Sequence, residues 1–168
     1  CTLLSLAFPQ GYNMELVSFM DFGQNVSDIT GFYQDDREFA VIGLQNAASF
    51  VDIPDPSNPT ELGRISGGNS IWRDLKYWNR HVYIGTEASD GVKVVSVNDP
   101  DNPTLVSTIS DFGNSHNIHI DADGYLYVVG ASTYDVWIYD LTMPAFPQLV
   151  GAWSGESLHD IEVYNNKL

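Results

Sequence analysis

Asp55-Pro56-Ser57-Asn58-Pro59, Asp99-Pro100-Asp101-Asn102-Pro103 and Met143-Pro144-Ala145-Phe146-Pro147 are three versions of one loop, and their spacing decides the fold. Both prolines return after 44 residues and again after 44, from Pro56 to Pro100 to Pro144 and from Pro59 to Pro103 to Pro147. The flanking positions keep the same time. Asp52, Ser96 and Asp140 close the run before each loop, Leu62, Val106 and Val150 sit in the run after it, and Gly43, Gly85 and Gly130 end an earlier one. A fourth set, Asp28, Asp74, Asn117 and Asp160, opens each unit. A period of this length built from short strands points to one propeller blade per repeat, so the chain is expected to be an all-β protein, a β-propeller of four-stranded blades.

Within each unit, four short runs rich in β-branched and aromatic residues are separated by turn residues rather than by helical periodicity. The strands expected in the first unit are Ser27–Tyr33, Phe39–Leu44, Ala48–Ile53 and Glu61–Ser66. In the second they are Arg73–Tyr77, His81–Thr86, Gly91–Val97 and Thr104–Ile109, and in the third Asn117–Asp121, Leu126–Ala131, Asp135–Leu141 and Gln148–Trp153. Asp123-Gly124 supplies a hairpin turn in the third unit, because Gly takes the positive φ such turns need. Past the first few residues no segment carries an apolar stripe at helical spacing. Met14–Met20 matches the outer strand of a unit and His159–Tyr164 matches the first strand of another. The expectation is therefore an incomplete arc: three full blades over 27–66, 73–109 and 117–153, with 14–20 and 159–164 belonging to incomplete blades.

Acidic residues number 22 against 7 Lys and Arg, a formal net charge of −15. Such a field repels nucleic acid and anionic membrane surfaces, which excludes both as partners. With one cysteine there is no internal disulfide. Residues 1–10, beginning Cys1-Thr2-Leu3-Leu4-Ser5-Leu6-Ala7-Phe8, read as the tail of a signal peptide, the rival readings being a lipidated Cys1 or a short strand; 11–168 read as the partial propeller. No later run is apolar for long enough to insert in a bilayer. An extracellular or cell-surface location follows as the expectation.

Several segments together resemble the LVIVD-repeat propellers of bacterial surface proteins, in particular the choice-of-anchor B family. Phe39-Ala40-Val41-Ile42-Gly43 with Phe50-Val51-Asp52-Ile53 and the first proline loop is similar to the repeat that names the group. Ser70-Ile71-Trp72-Arg73-Asp74-Leu75-Lys76, with Tyr83-Ile84 and Glu87-Ala88-Ser89, is similar to a second repeat. Phe112-Gly113-Asn114-Ser115-His116-Asn117-Ile118 and Leu158-His159-Asp160 resemble later repeat openings, so the likeness spans about residues 12–164. Met143-Pro144-Ala145-Phe146-Pro147 departs from the usual Asp-Pro-x-Asn-Pro loop. The resemblance implies a secreted or surface-held propeller with its anchor towards the C-terminus, and implies no reaction. WD, kelch and quinoprotein propellers fit less well: Trp72-Arg73-Asp74 does not end a strand, Gly67-Gly68 occurs once, and the four tryptophans share no repeat position.

Chemistry belongs where the units open, since in a propeller the first strand of each blade lines the central channel. The openings read Ser27-Asp28, Arg73-Asp74, His116-Asn117 and His159-Asp160. These make Asp28, Arg73, Asp74, His116, Asn117, His159 and Asp160 the candidate ligand-binding residues. Imidazole nitrogens and carboxylate oxygens converging on an axis suit a divalent metal ion, with His116, His159 and Asp160 as its ligands. A carboxylate or amide present at every opening is first a feature of the fold, able to accept from a neighbouring backbone N–H and join the units. Arg73, His116 and His159 vary at one repeat position, as residues grafted on a repeat for a ligand do. His119 reads as a wall residue and His81 as a solvated one beside a turn.

Other motifs fail on geometry. Ser157, His159 and Asp160 are too close on one strand for a nucleophilic triad. Asp121-Ala122-Asp123-Gly124 lacks the spaced ligands of a calcium loop. Gly67-Gly68-Asn69-Ser70 lacks the Lys and helix of a phosphate loop, and Asn25-Val26-Ser27 is a glycosylation sequon only in a eukaryotic secretory pathway. Two functional classes remain. One is a surface binding module presenting loops to an extracellular protein, peptide or glycan; the other is a metal-dependent hydrolase or lyase using the His, Asp and Arg groups of the channel. The absence of a placed nucleophile favours the first.

Overall fold

The computed structural model describes residues 14–155 and 158–163, and the described residues are all-β, without a helix. Twelve strands form three four-stranded antiparallel sheets, each a meander of consecutive strands. The first sheet holds β1 (Val26–Gln34), β2 (Arg37–Leu44), β3 (Ala47–Asp52) and β4 (Thr60–Ser66); the second holds β5 (Arg73–Trp78), β6 (His81–Thr86), β7 (Val92–Ser96) and β8 (Thr104–Ile109). The third holds β9 (Asn117–Ile120), β10 (Tyr125–Val129), β11 (Val136–Asp140) and β12 (Gln148–Trp153). Every strand expected in the three units is present, and one unit of the 44-residue beat is one sheet. The signal-peptide reading of 1–10 lies outside the described residues.

Local chemistry accounts for the connections. Asp35 and Asp36 (φ 54° and 60°) and Asn79 and Arg80 (φ 43° and 59°) make two-residue turns with both central residues left-handed, the geometry whose twist matches paired strands. In the third sheet Gly124 (φ 84°) closes a longer hairpin, with the Gly124 N–H donating to the Asp121 carbonyl at 3.2 Å. The first two proline loops repeat atom for atom. Asp55 Oδ1 accepts from the Ser57 N–H (2.9 Å) and Oδ2 from Asn58 Nδ2 (2.6 Å); Asp99 does the same with Asp101 (3.2 Å) and Asn102 (2.8 Å). Met143 has no carboxylate to offer, and the third loop keeps only its backbone bond, Phe146 N–H to Met143 O at 2.9 Å. Where the third strand meets the fourth, the register shifts at Phe50/Val51, Val94/Val95 and Ile138/Tyr139, the same repeat position each time.

Two apolar layers hold the sheets face to face. Phe32, Phe39, Val41 and Phe50 of the first sheet pack on Leu75, Val82, Ile84 and Val95 of the second. The other face of the second sheet, with Tyr83, Val92 and Val94, packs on Ile118, Leu126, Val128 and Tyr139 of the third. Neighbouring sheets approach most closely along their first strands, β1 beside β5 and β5 beside β9. There, Asp28 Oδ2 accepts from the Leu75 N–H at 2.9 Å, and Asp74 Oδ2 accepts from the Ile118 N–H at 2.7 Å. Close approach demands glycine beside these bonds: a Cβ on Gly85 would come within 2.9 Å of Ser115 Oγ and 3.1 Å of Ile118 Cγ2.

The first and second sheets also grip the proline loop of the sheet that follows. Arg37 bridges Asp52 (2.6 Å) and Asp101 (2.7 Å), while the Tyr83 hydroxyl donates to Pro144 O (2.8 Å) and Ser107 Oγ to Ala145 O (2.6 Å). Residues 14–25 carry no strand, contrary to the expectation for Met14–Met20, and neither do the described residues of 159–164. A strand exists only against a paired neighbour, and none of the described residues offers one to either segment. Ser18 Oγ nevertheless donates to Pro56 O at 2.6 Å, 38 residues on, as Ser107 does to Ala145 over the same separation.

Asp74 supplies the acceptor for an N–H between two fully packed sheets. Asp74→Ala is expected to lower unfolding free energy by about 2–3 kcal/mol, the cost of an unpaired buried donor, with Asp28→Ala smaller and the exposed Glu15→Ala near zero. Urea unfolding of the three variants checks this, and equal stability of Asp74→Ala and Glu15→Ala would refute it.

Candidate functional site

The openings of the units lie together, but their side chains divide into two neighbouring groups. The first runs along β1, β5 and β9. Val26, Ser27, Asp28, Ile71, Trp72, Arg73, Asp74, Lys76 and Asn117 line a half-open cleft of about 460 Å³. Lys76 stands two residues along β5 from Asp74, on the same face, and its ammonium bonds Asp74 Oδ1. Asp74 is 5% exposed. Burial pushes its carboxyl above the ordinary carboxylate range, against the pull of the Ile118 N–H and of Lys76, and the neighbouring Asp28 carboxyl adds to the rise.

Arg73 contributes to the cleft wall, yet its guanidinium is turned to the backbone. Nε donates to Leu44 O at 2.6 Å, and Nη2 to Gln45 O at 3.2 Å and to Gly68 O. At 1% exposure, burial lowers its pKa while the Asp90 carboxylate opposes the shift. Guanidinium remains charged even so. Asp90 completes the brace, Oδ2 accepting from the Gly68 N–H at 2.6 Å and from Lys93 Nζ at 2.5 Å. Gly68 is required here, since a Cβ would lie 2.8 Å from that of Ala88. Arg73 therefore ties the loop of 67–68 to the first sheet.

The second group surrounds His116. Its imidazole lies parallel to the Trp72 indole, centroids 4.9 Å apart and planes inclined by 5°. Trp72 Nε1 donates to the His116 carbonyl at 2.6 Å, so one residue is fixed to the other by both ring face and N–H. His116 Nδ1 meets Glu87 Oε1 at 2.7 Å. A carboxylate only accepts, so Nδ1 carries a proton. Nε2 is buried without a partner among the described residues. His159 approaches from the C-terminal segment, its ring centroid 4.0 Å from that of His116 at 57°, and its own Nδ1 meets Asp160 Oδ2 at 3.1 Å.

Of the residues expected at a site, the structure brings Asp28, Arg73, Asp74 and Asn117 to one cleft, and His116, His159 and Asp160 to the cluster beside it. Asp160 also lines a second hollow with Lys76, Asn117 and His119. The two histidines and Asp160 are the groups that could hold a metal, but among the described residues no three His, Cys, Asp or Glu side chains are disposed to ligate one ion. His119 is half-buried near Tyr127, whereas His81 is not solvated: it is 7% exposed, with Nδ1 at 2.8 Å from Asn79 O, because β6 is buried along its whole length. Trp72 and Glu87 are the participants that sequence reasoning passed over. Glu87 had a signal, being the acid at a repeat position that holds Gln45 in the first unit and Ser132 in the third. No protein-family model matches the chain, and neither does any curated protein.

Burial pushes Asp90 up, but Lys93, the Gly68 N–H and Arg73 outweigh it and hold its carboxyl below the ordinary value of 3.8. A carboxyl depressed by folding adds stability above its unfolded pKa and loses it as pH falls through the lower folded value. Asp90→Asn is therefore expected to be less stable than the native chain at pH 5–7, with the difference closing below about pH 4. Urea midpoints across that range measure it, and a difference independent of pH would contradict the assignment.

Proposed function

We propose that the three sheets are consecutive blades of a β-propeller of the LVIVD-repeat, choice-of-anchor B kind, secreted or held at the cell surface, and that the propeller is a binding module. The resemblance in sequence, the beat of 44 residues shared by loops and bulges, and the approach of neighbouring sheets along their first strands support the blade reading. In that arrangement Met14–Met20, which forms no strand here, lies against the first proline loop through Ser18 much as Ser107 of β8 lies against the third.

One observation carries the functional reading: the charged groups at the first two unit openings are committed to neighbouring backbone. Asp28 and Asp74 accept from Leu75 and Ile118, and Arg73 donates to Leu44 and Gln45. Groups so bound hold a scaffold stiff rather than move protons or attack a substrate. A rigid scaffold presenting preformed clefts meets a ligand at low conformational cost, which is what a binding module requires. The acidic surface directs it away from nucleic acid and anionic lipid. A metal-dependent hydrolase or lyase is the second reading, favoured by the unpartnered Nε2 of His116 and its contact with His159.

Elemental analysis of the chain after equilibration with Zn²⁺, Mn²⁺ or Ca²⁺ separates the two. The binding module predicts no stoichiometric metal, and a lower melting temperature for His116→Ala/His159→Ala because the stack on Trp72 is lost. One metal ion per chain, absent from the double variant, would replace this reading by the metal-dependent one.

A further inference from the structure

The cleft along β1, β5 and β9 has a ligand chemistry of its own. Trp72 is its apolar wall. One indole face is covered by the parallel His116 ring, while the residue as a whole stays 40% exposed and lines the cleft, leaving the opposite face for a ligand. The Nε1 bond to His116 O prevents the ring from turning, so no rotamer freedom is lost when something stacks on it. A fixed aromatic plane beside polar groups is the arrangement that receives a flat face of C–H bonds whose edges carry hydroxyls.

The polar wall offers both senses of hydrogen bond. Lys76 keeps ammonium protons beyond the one directed to Asp74, and the Asp28 carboxyl, which lies beside that of Asp74, has acceptor capacity beyond the bond from the Leu75 N–H. Asn117 takes the place that Asp28 and Asp74 occupy in the earlier units. Among the described residues its amide caps no neighbouring N–H as they do, and it lines the cleft with one donor and one acceptor end. Formal charge cancels locally, Asp28 and Asp74 against Lys76 and Arg73, in a chain whose net charge is −15. A cationic ligand meets the Lys76 ammonium at the wall, and an anionic one is repelled by the protein as a whole.

We propose that this cleft binds a neutral saccharide, one sugar ring stacked on Trp72 with its hydroxyls bonded to Asp28, Lys76 and Asn117. The volume of about 460 Å³ lies inside the span of small-molecule clefts. This inference rests on the binding-module reading and names its ligand class.

Isothermal titration of the chain with a panel of neutral oligosaccharides of glucose, mannose, galactose and N-acetylglucosamine tests it, with a sialylated oligosaccharide and a choline salt as charged controls. At least one neutral series is expected to bind at up to millimolar concentration. Trp72→Ala is expected to weaken that binding by roughly 30-fold or more, and Asn117→Ala, which leaves the stack intact, by about tenfold. Trp72→Phe restores part of the loss, which separates a stacking role from a folding defect. Binding of a neutral series with unchanged affinity in Trp72→Ala overturns the cleft but keeps the module. No neutral series bound, or only a charged control bound, overturns the saccharide, and the metal analysis above then decides the module by itself.

Discussion

The bond on which the rest of this structure depends joins a carboxylate on the first strand of one sheet to a backbone N–H on the first strand of the next. Asp28 reaches Leu75, and Asp74 reaches Ile118. Neither N–H is free for a ladder within its own sheet, and both residues are packed between sheets where water cannot replace the partner. Once those bonds exist, sheet spacing is set. The glycine at Gly85 must then be small, Ser115 can reach the Thr86 N–H at 3.2 Å, and the apolar layers meet in register. The outer connections, Arg37 to Asp101 and Tyr83 to Pro144, fix the angle that the inner bond leaves open.

Most of the fold is legible in sequence because the features that mark it are local. Proline pairs with Asp and Asn three residues apart build their loops from their own side chains, and alternation within each run tells a strand. What is not legible is partnership across sheets. Nothing near His81 in sequence announces that β6 is buried from end to end, since that follows from having a sheet on both faces of the second sheet. Arg73 varies at its repeat position as a ligand-binding residue would. Its guanidinium nevertheless serves the carbonyls of Leu44, Gln45 and Gly68, a choice made by a loop 28 residues away in the chain. Trp72 escaped notice for the opposite reason: its meaning comes from His116, one whole repeat further on.

Charge is distributed unevenly for a physical reason. The acidic excess lies on loops and outer strands, where Asp35, Asp55, Asp101 and Asp140 accept from nearby donors in solvent and titrate below their usual range. Of the seven basic residues, Arg37, Arg73 and Lys76 stand where sheets meet, each against a carboxylate or a set of carbonyls. Buried or half-buried carboxylates need such partners, and exposed ones do not. A molecule that is strongly anionic outside can therefore be close to neutral along its inner strands.

That division bears on how a repeat acquires a site. The carboxylate at the opening of a unit cannot vary without leaving an N–H unpaired in the adjoining sheet, so it is held by the fold. The residue before it, Ser27, Arg73, His116 and His159 in turn, supplies no acceptor to that N–H and takes three identities over four units. Asn117 is the exception among the fixed positions, an amide where the earlier units have acids. An amide is the weaker acceptor for a neighbouring N–H but, unlike a carboxylate, can also donate. It stands beside the one indole among the described residues whose ring is pinned by both a stacked face and an N–H bond. The unit that relaxes the fold's own rule is thus the unit with most capacity left for a ligand, and the cleft of Trp72, Lys76 and Asn117 is where that capacity is gathered.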